Sequence, residues 1–222
     1  MTNIPNNLQQ ILNTLPKTVQ LVAVSKYHPA EMIKEAYACG QRVFGESREQ
    51  ELNKKAEELP KDIQWHFIGH LQTNKVKFIA PYITMIETVD SLKLLREINK
   101  QAERCNRVID TLLELHIAKE ITKNGVSLDD CRKLLQQGEW QQLTHLRICG
   151  LMMMASHVDD KEQIRKEMLT AEKFFNELKS QYFSDAPWFK ERSWGMSHDY
   201  LIATQCGSTL VRIGTKLFGE RK

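Results

Sequence analysis

Eight short apolar runs, rich in Val, Ile and Leu, alternate with amphipathic stretches along the whole chain, and this order constrains the fold more than any other feature. The runs lie at 21–25, 43–45, 65–69, 85–89, 111–117, 147–152, 193–196 and 210–214. Helical patterns fill the intervals at 29–39, 47–59, 91–105, 127–137 and 160–181. The last of these sets Ile164, Met168, Ala171, Phe175, Leu178 and Tyr182 along one face. A further short helix is expected over 6–15, and residues 183–192 read as a surface loop.

Strand and helix in strict alternation imply a parallel sheet with right-handed crossovers, and eight such units can close into a (β/α)8 barrel. The rival, a doubly wound open sheet, usually binds phosphate in a Gly-rich loop after its first strand. Here that position holds Ser25-Lys26-Tyr27-His28-Pro29, with no glycine. The expected fold is therefore α/β, a single TIM-type barrel domain over 1–222 with an extra N-terminal helix.

No stretch is long or apolar enough to cross a bilayer. Residues 1–10 lack the basic and apolar regions of a secretory leader. Five cysteines, an odd number with no C-x-x-C pair, argue against a disulfide framework or a zinc site and fit a reducing cytoplasm. The seven histidines form no metal-ligand spacing, and His66 and His70 flank a strand, where four residues do not bring side chains together. They read as polar or packing residues, and no metal is expected. The net charge of +3 is small, and basic residues interleave with acidic ones at 46–58 and 161–179 as on solvated helix faces. Asn74-Lys75-Val76-Lys77 is the densest basic spot, without the aromatic interleaving that nucleic-acid binding would call for.

Lys26 follows directly on the first apolar run. A lysine at the carboxyl end of a buried strand is a candidate amine nucleophile, because burial disfavours the ammonium and frees the amine to attack a carbonyl. The alternative is a lysine that snorkels to solvent. Closing the barrel sets the first strand beside the eighth, about 5 Å away. That strand, Leu210-Val211-Arg212-Ile213-Gly214, carries an arginine that needs a partner, either a ligand or a carboxylate on a nearby strand. Barrels commonly bind phosphate in the loops after strands seven and eight. Those loops here are Gly195-Met196-Ser197-His198-Asp199 and Gly214-Thr215-Lys216, each with a glycine and a hydroxyl. Ser197 is also placed to be a plain helix cap. An amine, a guanidinium and a phosphate cradle at one end of a barrel match an aldehyde bearing a ring nitrogen and a phosphate, which describes pyridoxal 5'-phosphate (PLP).

Several motifs occur in order: Val22-Ala23-Val24-Ser25-Lys26, Phe44-Gly45-Glu46, Trp65-His66-Phe67-Ile68-Gly69 with Gln72 and Asn74-Lys75, Gly150-Leu151-Met152, Gly195-Met196-Ser197, and Gly207-Ser208-Thr209-Leu210-Val211-Arg212-Ile213-Gly214-Thr215 with Phe218-Gly219. From about residue 20 to 220 the chain resembles the pyridoxal phosphate homeostasis protein family. The resemblance implies the alanine racemase N-terminal-domain barrel, PLP fold type III. It implies Lys26 as the Schiff-base lysine, Arg212 facing the pyridine nitrogen, and Ser197, Gly214 and Thr215 on the phosphate. The chain departs from the family pattern at Ser47, where Asn is usual after Phe-Gly-Glu, at Tyr27, where Thr is usual, and at Met153, Met154 and Ser156. The methionine run also fits core packing at a strand end.

Two functions compete: a PLP carrier in vitamin B6 homeostasis with little or no turnover, and a PLP-dependent amino-acid racemase or decarboxylase. Racemases of this fold resemble the barrel followed by a large β-domain that supplies an opposing tyrosine, and no such domain follows Gly214 here. The expectation is the non-catalytic carrier, with no catalytic residue, as a monomer or weak dimer, and with PLP-free enzymes as recipients. A Schiff-base aldolase without cofactor leaves Arg212 and the paired loops less well explained.

Overall fold

The computed structural model describes residues 2–117 and 125–220. Eight parallel strands close into a barrel in chain order, β1 Gln20–Val24, β2 Val43–Glu46, β3 Gln64–Phe67, β4 Met85–Val89, β5 Ile109–Leu115, β6 Leu146–Met153, β7 Glu191–Ser193 and β8 Leu210–Ile213. The expected barrel is thus observed, and the first strand does lie beside the eighth, with Val22 opposite Arg212 and Ala23 opposite Ile213.

Helices fall where hydrophobic periodicity and capping residues place them. The sequence places α1 (Ile4–Thr14) behind Asn3, whose side chain accepts the Asn6 N–H, and then α2 (Ala30–Ala38) and α3 (Glu49–Glu58). A 3-10 turn at Thr73–Lys75 leads into the one-turn α4 (Val76–Ile79). Ser91 caps α5 (Leu92–Arg104), Ser127 caps α6 (Leu128–Gln136) and Asp160 caps α7 (Lys161–Gln181), each through its side-chain oxygen. Two short helices follow, α8 (Tyr200–Gln205) and α9 (Thr215–Phe218).

One expectation holds only in part. Residues 183–190 form a loop with Ser184, Asp185, Pro187, Trp188 and Lys190 exposed, but Phe183, Ala186 and Phe189 are buried, and Glu191 and Arg192 belong to β7. Phe183 and Phe189 stack at 4.0 Å between ring centroids, and Phe175 of α7 stacks on Phe189 at 4.8 Å. Burying the Phe183 and Phe189 rings removes their apolar faces from water, while Ser184 and Asp185 stay hydrated at the surface.

The main core lies between the sheet and its helices. Inside the barrel a smaller cluster of Val22, Val43, Met85, Leu112, Cys149, Met152 and Leu210 fills the space. Side chains along a strand repeat with period two, so the next inward position lies two residues on. That step leads from Met85 to Glu87, from Leu112 to Glu114 and from Leu210 to Arg212, all buried. The interior is apolar below and charged toward the carboxyl ends of the strands, the end at which barrels of this type carry their sites.

Candidate functional site

The same alternation sorts the residues at the end of β1. Val22 and Val24 point inward and Ser25 outward, so Lys26 returns to the inner side. The backbone turns there: the Ser25 carbonyl accepts the His28 N–H at 3.1 Å. Lys26 and Tyr27 occupy the two corners, and Tyr27 has φ 67°. A left-handed third residue is what a type II turn requires, and for a non-glycine it costs about 1–2 kcal/mol. Lys26 is half-buried and lines a cavity of about 300 Å³ at the barrel mouth.

That cavity gathers all five expected residues: Lys26, Ser197, Arg212, Gly214 and Thr215 line it together. Ser197 does not cap the helix of its own loop, because α8 starts at Tyr200 with Asp199 as its first flanking residue. Instead the Ser197 hydroxyl reaches across to the start of α9, accepting the N–H of Gly214 at 3.3 Å and of Lys216 at 3.5 Å. Both contacts are long, so these donors have capacity for a stronger acceptor. Asp199 ties the loop instead, accepting the Met196 N–H at 2.5 Å.

Two glycines shape this wall. Gly195 has φ 97°, and a Cβ there would stand 2.5 Å from Ala203 Cβ. At Gly214 a Cβ would meet the Val24 carbonyl at 3.1 Å, so a bare backbone lets the two loops close against β1.

Arg212 is buried and held rigidly. Its Nη1 donates to the Ser193 carbonyl at 2.7 Å and hydroxyl at 2.6 Å, and its Nη2 to the Met153 carbonyl at 2.9 Å. Glu87 lies 3.8 Å away, receiving the Ser193 hydroxyl at 2.5 Å. The other Glu87 oxygen pairs with His66 Nδ1 at 2.7 Å. Of the two partners expected for Arg212, the structure shows the carboxylate, and the guanidinium also lines the cavity. Burial pushes the Glu87 carboxyl up, but the His66 hydrogen bond, the charges of His66 and Arg212, and the Ser193 bond together hold it below the usual carboxylate range. Glu114 shows the opposite balance: burial pushes it up to about 7 against the pull of Arg212, with Asp90 adding to the rise.

Sequence reasoning did not name Glu87 and read His66 only as a polar or packing residue. The usable signal was a lone glutamate inside Met85-Ile86-Glu87-Thr88-Val89, since the buried arginine called for such a partner. His157 and His198 were also passed over; both line the cavity, with their rings edge to face at 4.9 Å. Of the methionine run, Met152 and Met153 are core, as expected, while Met154 faces the cavity. All five cysteines are free thiols. Among the described residues no cluster of His, Cys, Asp or Glu could hold a metal ion, and no helix is long and apolar enough to cross a membrane.

Comparison with known proteins follows the same lines. The family model for the alanine racemase N-terminal domain matches residues 1–222. A pyridoxal phosphate homeostasis protein of Aquifex aeolicus is 40% identical over 204 residues, covering 91% of this chain and 87% of its own. One from Schizosaccharomyces pombe is 36% identical over 220 residues, covering 98% and 90%. The structure of PipY from Synechococcus elongatus with PLP bound superposes with a TM-score of 0.87 at 37% identity, over 98% of this chain and 100% of PipY. An alanine racemase from Clostridium difficile shares the fold at TM-score 0.76 and 17% identity, with this chain spanning 56% of it. The chain belongs to the alanine racemase N-terminal-domain family and, within it, to the pyridoxal phosphate homeostasis proteins.

Proposed function

We propose that this protein binds pyridoxal 5'-phosphate through Lys26 and acts in PLP homeostasis as a carrier, with little or no turnover of its own. The observation that carries this reading is the convergence of Lys26, Arg212, Ser197, Gly214 and Thr215 on one cavity. The names of its relatives and the PLP in the PipY structure support it.

The residues fit the group. PLP supplies an aldehyde that condenses with a primary amine, and a pyridine ring that can draw electrons from what is attached. Lys26 offers the amine from one wall. Ser197 and Thr215 offer hydroxyls, and the start of α9 offers backbone N–H groups, for the phosphate; a four-residue helix adds little dipole, so these are local hydrogen bonds. A guanidinium such as that of Arg212, facing the ring nitrogen, would keep that nitrogen unprotonated and weaken the ring as an electron acceptor. This alone does not separate a carrier from a racemase. PLP-free enzymes are the recipients in this reading, and the five free thiols suit a reducing cytoplasm.

Freshly loaded protein should show a visible absorption band that borohydride abolishes, with a pyridoxyl adduct mapped to Lys26. An adduct on Lys216 alone would sink the assignment. The His157–His198 pair favours a second reading, because it puts titratable groups in the cavity that could move a proton. Chiral product analysis with alanine and other common amino acids should show no racemisation; robust turnover lost in Lys26→Ala would make this an enzyme.

A further inference from the structure

We infer that Lys55, Glu46 and Glu51 are positioning residues for Lys26: a buried charged cluster on the outer face of the sheet that fixes the backbone on both sides of the amine. The inference rests on the reading of Lys26 given above. Lys55 of α3 is buried, and its ammonium has three contacts: the Ser25 carbonyl at 2.8 Å, Glu46 Oε1 at 2.7 Å and Glu51 Oε1 at 2.6 Å. An ammonium has three donors, so Lys55 is fully engaged and is no rival to Lys26 as a free amine.

Every other bond of the cluster ends on the turn that carries Lys26. The Ser25 hydroxyl donates to Glu46 Oε1 at 2.6 Å, and the Tyr27 N–H donates to Glu51 Oε1 at 2.7 Å. The residue before Lys26 is thus held at its carbonyl and its hydroxyl, and the residue after it at its N–H. Tyr27 is also one of two non-glycine residues with positive φ among the described residues, a conformation that persists only where surrounding contacts over-determine it. None of the three charged residues lines the inner cavity, so they act on a ligand there only through Lys26. A buried ion cluster is a poor device for stability alone, since apolar residues of similar volume commonly do as well. Its value here is geometric.

The test compares PLP with pyridoxine 5'-phosphate, which has the ring and the phosphate but no aldehyde. The dissociation constant of pyridoxine 5'-phosphate divided by that of PLP isolates what Lys26 adds. In Lys55→Met and in Glu51→Ala that ratio should fall by about tenfold or more, because moving a reacting group by about 1 Å costs up to about a hundredfold. Affinity for pyridoxine 5'-phosphate should stay within about twofold, as the cavity walls are untouched. Glu51 is partly exposed, so its variant decides the matter if Lys55→Met does not fold. An unchanged ratio in folded Glu51→Ala, or an equal loss of both ligands, would overturn the inference and leave the cluster structural. A wild type with equal affinity for the two compounds would overturn the reading of Lys26 itself, and this inference with it.

Discussion

The barrel buries two charged clusters of similar composition on opposite faces of one sheet. The inner one joins Arg212, Glu87, Ser193 and His66; the outer one joins Lys55, Glu46, Glu51 and Ser25. Each contains a cation, a fully buried glutamate and a serine hydroxyl, yet the two glutamates respond oppositely. Glu87 has both oxygens bonded and lies below the usual carboxylate range. Glu46 has one oxygen bonded twice and Oε2 buried without a hydrogen-bond partner. Burial therefore dominates and raises its pKa, Glu51 adds to the rise, and the charge and bond of Lys55 and the bond of Ser25 only moderate it. How many oxygens are satisfied, more than how deeply they are buried, sets the sign. The inner cluster opens on a cavity and can meet a ligand; the outer one closes on backbone.

The opposite signs carry opposite pH linkages. The stability Glu87 contributes is present above the ordinary glutamate pKa and is lost as pH falls through its lowered value. What protonated Glu46 contributes is present below that ordinary pKa and is lost as pH rises through its raised value.

The largest effect that would test the division is Lys26→Ala. It should abolish the covalent linkage to PLP while leaving pyridoxine 5'-phosphate affinity intact, measured by absorbance and by calorimetry. If pyridoxine 5'-phosphate binding is lost too, the inner walls do not hold the ligand by themselves. Next, Glu87→Leu should cost about 3 to 5 kcal/mol in urea unfolding at neutral pH, the usual result of stripping a buried cation of its carboxylate. Glu46→Leu should cost less, because at neutral pH Glu46 is already penalised by burial and Lys55 keeps Glu51. Equal costs would break the comparison.

Glu114→Gln sharpens it. Glu114 is buried with Oε2 unpartnered, and burial pushes its carboxyl up to about 7. The stability conferred by its proton is complete below the ordinary pKa and is lost as pH rises through about 7. The gain of the Gln variant over wild type should therefore grow by about 3 kcal/mol between pH 4 and pH 8. A flat difference across that range would show that the carboxylate finds a partner. The smallest effect belongs to the third wall, which neither cluster touches. Ser197→Ala with Thr215→Ala should weaken PLP by about tenfold, or 1.4 kcal/mol, and leave pyridoxal almost unchanged. Equal affinities of the wild type for PLP and pyridoxal would make these loops caps and turns.

Much of this was legible before any coordinates. Alternation of apolar runs with helical patterns was enough for the barrel, because parallel strands need helical crossovers and eight of them close. Lys26 and Arg212 stood out as charges at the end of, or within, apolar runs, where a charge needs a reason. Glu87 and Lys55 did not, since their meaning lies in lateral neighbours: Glu87 pairs across the barrel from β4 to β8, and Lys55 sits in a charged helix that reads as solvated. Ser197 was placed correctly but given the wrong helix, because its contact spans 17 residues. Phe183 and Phe189 were hidden because no regular period relates them: Ser184, Asp185, Pro187 and Trp188 between them reach solvent while the two rings turn inward.

The apolar cluster beneath the charged layer makes the barrel a vessel with a sealed floor. Val22, Met85, Leu112 and Leu210 pack against one another inside the barrel below that layer. The cavity lies above them at the barrel mouth, with the exposed His157 and His198 among its lining residues. On the carrier reading proposed above, a ligand held in that cavity meets its recipient at the barrel mouth or passes through solvent on the way.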